Sequence, residues 1–222
     1  MKIRTLAATL ILAALSSYTA SAAVITMTFE GLQNLEAINN FYNGGTGSLG
    51  SAGPNYGVEF GSDSLAVIAS DSGGSGNFTG SLAPSPDTIG FFLSGPGDVM
   101  NVAAGFDTGF SFFYSSPFFL GSVTVWSGLN GTGTLLATLT LGLTTDTSGA
   151  TGHPYDDWQP VGVTFAGTAM SAVFSGTANY IGFDNITLGS DTPGGVPDGG
   201  ASALLLSVSL LGLGGLFRRN RR

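Results

Sequence analysis

The chain has 222 residues, 36 glycines, no cysteine and a net charge of −8. Its six Lys and Arg residues stand at positions 2, 4, 218, 219, 221 and 222, so the stretch 23–217 holds all 14 acidic side chains and no permanent cation. This excludes disulfides and thiol catalysis, argues against nucleic acid and anionic lipid as partners, and leaves divalent cations or neutral polysaccharide as fitting ones.

At the front, Lys2 and Arg4 precede an apolar run, Leu6 to Leu15, and then Ala20-Ser21-Ala22. This is the layout of a secretory signal peptide, residues 1–22, removed by signal peptidase after Ala22. The remainder up to position 190 fits one ordinary domain.

Val24 to Phe29 is β-branched and apolar and predicts a first strand. Leu32, Leu35, Ile38 and Phe41 recur every three residues and predict one short helix from about Gln33 to Asn40. Residues 43–54 are too polar and glycine-rich for either regular state. Strands are then expected at 56–60, 65–70, 88–93, 99–103, 109–114, 123–127, 135–141, 160–165, 172–174 and 180–188, separated by turn clusters such as Leu129-Asn130-Gly131-Thr132-Gly133. Short strands at this spacing, without helical patterns between them, predict an all-β fold: an antiparallel β-sandwich or jelly roll over 23–190, with one short helix.

His153-Pro154-Tyr155-Asp156-Asp157-Trp158 is the densest cluster of functional groups. Trp126, Tyr155 and Trp158 are the candidates for stacking on sugar rings. Asp156 and Asp157 could suit glycoside hydrolysis by type, but neighbours on a strand point to opposite faces, which separates them as an acid and base pair. No serine stands in a nucleophile-elbow pattern and no lysine follows a glycine-rich turn, so hydrolase triads and nucleotide binding find no signal.

In the last strand Ile181 and Phe183 share one parity and Ile186 and Leu188 the other, which predicts a β-bulge near Asp184-Asn185. Phe183-Asp184-Asn185-Ile186 resembles the closing strand of jelly-roll domains similar to carbohydrate-binding modules. The resemblance implies a structural calcium ion shared by Glu30, at the end of the first strand, and Asp184. The oxygen-only chemistry of the domain suits that ion.

The chain closes with Val196-Pro197-Asp198-Gly199-Gly200 after a linker beginning at 191, an uncharged run from Ala201 to Phe217, and Arg218, Arg219, Arg221 and Arg222. Seventeen residues of helix would span about 25 Å, the short end for a bilayer core, with the arginines on the cytoplasmic side. This arrangement resembles the PEP-CTERM class of bacterial sorting signals in its VPDSG-type variant, with Gly199 where that variant has serine. The resemblance implies a transmembrane helix and arginine cluster over 201–222, cut off by an exosortase-type protease. It also implies a non-enzymatic protein of the cell surface or extracellular matrix, associated with exopolysaccharide and biofilm. A carbohydrate-binding module is the alternative reading, and a glycoside hydrolase or lyase ranks below it.

Overall fold

The computed structural model describes residues 24–95, 97–145 and 152–194. The signal peptide, the sorting motif, the apolar run and the arginine cluster lie outside the described residues.

Among the described residues eleven strands form two antiparallel sheets: β1 (Ile25–Met27), β2 (Val58–Phe60), β3 (Ser64–Ile68), β4 (Thr88–Phe92), β5 (Gly97–Phe106), β6 (Gly109–Ser115), β7 (Gly121–Trp126), β8 (Leu135–Leu141), β9 (Gln159–Thr164), β10 (Ala169–Ser175) and β11 (Gly182–Leu188). The first sheet has the order β3-β4-β11-β6-β9, with β1 also paired to β11; the second has the order β2-β5-β10-β7-β8. The predicted all-β sandwich is therefore what the chain builds. Each strand alternates because successive side chains point to opposite faces. Phe110 and Phe112 of β6 thus meet Phe174 of β10 between the sheets. Phe174 and Phe183 pack edge to face at 4.8 Å, tying the two sheets together. Burying a Phe of this kind stabilises the fold by roughly 1.5–3 kcal/mol.

No α-helix is present among the described residues, so the helix expected over 33–40 does not form. Leu32, Ile38 and Phe41 do enter the core, but Leu35 stays half exposed. Leu35 and Asn39 take left-handed backbone angles (φ 60° and 46°), which break a helical run. The segment bonds instead along β3: the Leu35 amide donates to Ala66 O, the Ala66 amide to Glu36 O and the Ile38 amide to Ser64 O. The buried Glu36 carboxylate adds a competing local centre, accepting the amides of Gln33, Leu49 and Ser51 at 2.8, 2.9 and 3.1 Å. It thereby also organises the glycine-rich loop, where Asn43 pairs with Asn55 and Thr46 with Ala52. A three-residue recurrence is thus met by turns stitched to a sheet edge.

The bulge expected in β11 is present. Asp184 pairs with Phe113 and Thr187 with Ser111, so one extra residue lies on the β11 side. Asn185 takes it up with φ 47°. On the other flank β11 pairs with β4 through Gly182 and Phe183, and with β1 through Ile186 to Leu188. The bulge marks the seam where one neighbour hands over to the next.

Candidate functional site

Glu30 and Asp184 are neighbours at this seam, where the Glu30 charge acts on the Asp184 carboxyl. Asp184 is fully buried. Its Oδ2 accepts the Ser85 amide at 2.7 Å, and its Oδ1 accepts the Asn185 amide at 2.7 Å and the Ser85 hydroxyl at 2.8 Å. Glu30 Oε1 accepts the Thr88 amide at 2.9 Å. Ser85 Oγ also lies 2.9 Å from the Thr28 carbonyl oxygen. Burial pushes the Asp184 carboxyl up to about 8, against the opposing hydrogen bonds of Ser85 and Asn185, and the Glu30 charge adds to the rise. Burial likewise pushes Glu30 up to about 7, against the pull of Thr88. Phe29, Asp87 and Asn185, each adjacent to one of these groups, all have positive φ. Such strained backbone persists only where its surroundings hold it.

The donor set at this seam is two carboxylates, a hydroxyl and a backbone carbonyl, all hard oxygens of the kind calcium takes. Among the described residues no group of three or more Asp, Glu or His side chains is placed so that it could hold a metal ion. A cation here would therefore lean on neutral oxygens beside the Glu30 and Asp184 pair.

A concavity lies elsewhere, at the end of the first sheet where β11 begins. It is a cleft of about 360 Å³, near the lower end of the usual 300–1,000 Å³ for ligand pockets. Its floor is Val67, Phe78, Ile89 and Phe91, which pack as one cluster, and its rim includes Leu35, Leu93, Phe118, Tyr155 and Tyr180. Phe118 stands edge-on to Tyr155 at 6.1 Å and to Tyr180 at 6.2 Å. Phe118 and Tyr180 are 53% and 40% exposed, so their rings face solvent as well as each other. Burial raises the Tyr155 hydroxyl to about 12, keeping it a neutral donor. Gly182 lets Ile89 and Trp158 pack closely over β11: a Cβ there would come within 2.8 Å of Ile89 Cδ1 and 3.2 Å of Trp158 Cη2.

Two loops are held together to form the cleft wall. Asp156 is buried and accepts the Thr79 amide at 2.6 Å and its hydroxyl at 3.0 Å. His153 Nδ1 pairs with Asn77 Oδ1 at 3.1 Å. Asp157 accepts Gln159 Nε2 at 2.9 Å. The two aspartates thus bond in separate directions, one to a loop and one along its own strand.

Of the three candidate stacking residues, Tyr155 lies at the cleft. Trp158 packs behind it, edge to face with Phe78 at 6.2 Å and against the cluster of Val67, Ala69, Phe78 and Ile89. Its Nε1 is buried without a hydrogen-bond partner. Trp126 is on the second sheet, level with Ser171 of β10, its indole nitrogen donating to Thr124 at 2.9 Å. The sequence reading did not single out Phe118, Tyr180 or Phe91. The signal for Phe118 is the run Pro117-Phe118-Phe119-Leu120, an apolar cluster in a turn between two strands.

No family model matches the chain, and no curated protein matches it. Among the solved structures to which the chain is similar are the following two. One is the carbohydrate-binding module CBM6cm-2 from Cellvibrio mixtus lichenase 5A in complex with cellotriose, 14% identical at a TM-score of 0.36, covering 57% of this chain and 86% of that one. The other is a glycoside hydrolase family 43 arabinoxylan arabinofuranohydrolase from Bacillus subtilis in complex with cellotetraose, 15% identical at a TM-score of 0.38, covering 64% of this chain and 30% of that one.

Proposed function

We propose that this chain is a non-enzymatic exported protein of the bacterial cell surface or extracellular matrix, whose β-sandwich binds neutral exopolysaccharide in the cleft between Tyr155 and Tyr180. The observation that carries the binding reading is the cleft itself. It offers aromatic faces at the rim, amide side chains from Asn77 and Asn179, and no charged residue among those that line it. Sugar rings present an apolar C–H face that stacks on aromatic side chains, while their hydroxyls need a few placed polar partners. The absence of Lys and Arg between 23 and 217 directs the choice toward an uncharged polymer.

The tail supplies the address. Signal peptidase removes residues 1–22, the helix over 201–217 holds the precursor in the inner membrane, and an exosortase-type protease cuts near Val196 to Gly200. Glu30 and Asp184 would hold a structural calcium ion, which would neutralise the buried carboxylate pair. Retention of the protein by a neutral polysaccharide column, abolished in Tyr155→Ala, tests the cleft. Intact mass of the protein from its native host tests the tail: a C-terminus between Asp198 and Gly200 supports removal, and a retained Arg222 overturns it.

A further inference from the structure

We infer that the sugar recognised by the cleft carries a methyl group, as an O-acetyl ester or as the C6 methyl of a 6-deoxyhexose, and that this methyl seats on the floor made by Val67, Ile89 and Phe91. The inference rests on the reading of the cleft as a site for neutral polysaccharide. Its own ground is the uneven distribution of polar groups within the cleft.

The polar side chains of the lining are Ser75, Asn77, Asn179, Tyr155 and Tyr180, and several are already engaged. Ser75 Oγ is within 3.0 Å of Asn34 Nδ2 and 3.2 Å of Asn34 Oδ1. Asn77 Oδ1 is engaged by His153. The floor is aliphatic and aromatic, interrupted only by Gly76 and Gly182. A hydroxyl-covered hexose edge pushed against that floor would give up water and find no replacement. A methyl group placed there loses nothing and gains contact. The sugar ring then remains at the level of Phe118, Tyr155 and Tyr180, where its apolar face meets aromatic rings. There its hydroxyls reach the free amide donors of Asn77 and Asn179 and solvent. A carboxylated sugar is excluded by the same inventory, because the lining holds no cation and the surrounding domain is acidic.

The experiment is calorimetric titration of the full-length chain, purified in a detergent without a sugar headgroup. One pair of probes is O-acetylated galactoglucomannan and the same polymer after alkaline deacetylation. The second pair is methyl α-L-rhamnopyranoside and methyl α-L-mannopyranoside, which differ by a methyl against a hydroxymethyl group. Discrimination by one methyl in an apolar pocket amounts to about tenfold or more. A preference of that size in the first pair assigns an acetyl group, and in the second a 6-deoxy sugar. Val67→Thr, which puts a hydroxyl on the floor at nearly constant volume, should erase the preference. Phe118→Ala, at an exposed rim position, should weaken binding of every probe alike. Equal binding within both pairs would overturn the inference while leaving the neutral-glycan reading intact. Binding of no probe at all would overturn both.

Discussion

Ser85 and Asp184 are 99 positions apart, yet the Ser85 amide and hydroxyl both bond to the Asp184 carboxylate, at 2.7 and 2.8 Å. This contact closes the seam where β11 exchanges β4 for β1, and the burial of the carboxyl there, which outweighs the contact, fixes the sign of the pH response. Asp184 and Glu30 titrate near 8 and 7 in the folded protein, above the ordinary carboxylate value near 4. The folded state therefore holds their protons more tightly than the unfolded state. Their contribution to stability is complete below about pH 4 and is lost as pH rises through 7 and 8. In EDTA the melting temperature should fall over that interval, and Asp184→Asn with Glu30→Gln should flatten the fall. If calcium occupies the seam, millimolar Ca²⁺ should restore the melting temperature at pH 8 and do little at pH 4. An identical curve with and without the ion would remove calcium from the account.

Glu36 responds in the opposite direction. Burial alone would raise it, but the amides of Gln33, Ser51 and Leu49 outweigh that and hold it below its ordinary value. Its stabilising contribution is present above the ordinary carboxylate range and is lost as pH falls. Glu36→Ala leaves three amides without their acceptor, at a cost of roughly 1–3 kcal/mol for each that stays buried. Chemical denaturation should report a large loss, and hydrogen exchange should show fast amides at Leu49 and Ser51. Unchanged exchange there would contradict the role given to Glu36.

Trp158 and Trp126 should separate cleanly on mutation. Trp158→Ala removes a ring packed on Phe78, and we expect destabilisation on the order of 2–3 kcal/mol, with any loss of binding following the loss of structure. Trp126→Ala, on the other sheet, should leave cleft affinity within a factor of two. A large loss of affinity in a fully folded Trp126→Ala protein would place the ligand on the second sheet instead.

The segment after β11 is clasped back onto it. The Gly194 amide donates to Thr187 Oγ1 at 2.9 Å, and Asn185 Nδ2 donates to the Gly194 carbonyl at 2.8 Å. Thr187→Val cuts the first bond and should expose the stretch from Ser190 to Gly194 to protease, with a stability cost of about 1 kcal/mol. Cleavage of wild type and variant at the same rate in limited proteolysis would argue against the clasp.

The strands were legible in the sequence because their signal is local. Alternation around Val123 and Val125 places both in the core, and the parity switch around Asp184 locates the bulge. The segment 33–40 misled because a period near three is shared by a helix and by a chain of turns. What decides between them is Glu36, whose partners Leu49 and Ser51 lie on a loop that sequence reasoning treated separately. The Glu30 and Asp184 juxtaposition came from the family resemblance, and the fold brings the two residues to one seam. The cleft was only partly legible. Tyr155 stood out within its dense cluster, whereas Phe118, Tyr180 and Ile89 meet only through the pairing of β3, β4 and β11 and the loops beyond them.

The most direct test of the account is the affinity of the purified protein for neutral exopolysaccharide from its native host, with and without Phe118→Ala and Tyr180→Ala together. Stacked aromatics each contribute about 0.5–1.5 kcal/mol, so the double variant should bind at least about fivefold more weakly with an unchanged melting temperature. Wild-type affinity in that variant would contradict the cleft as the binding site.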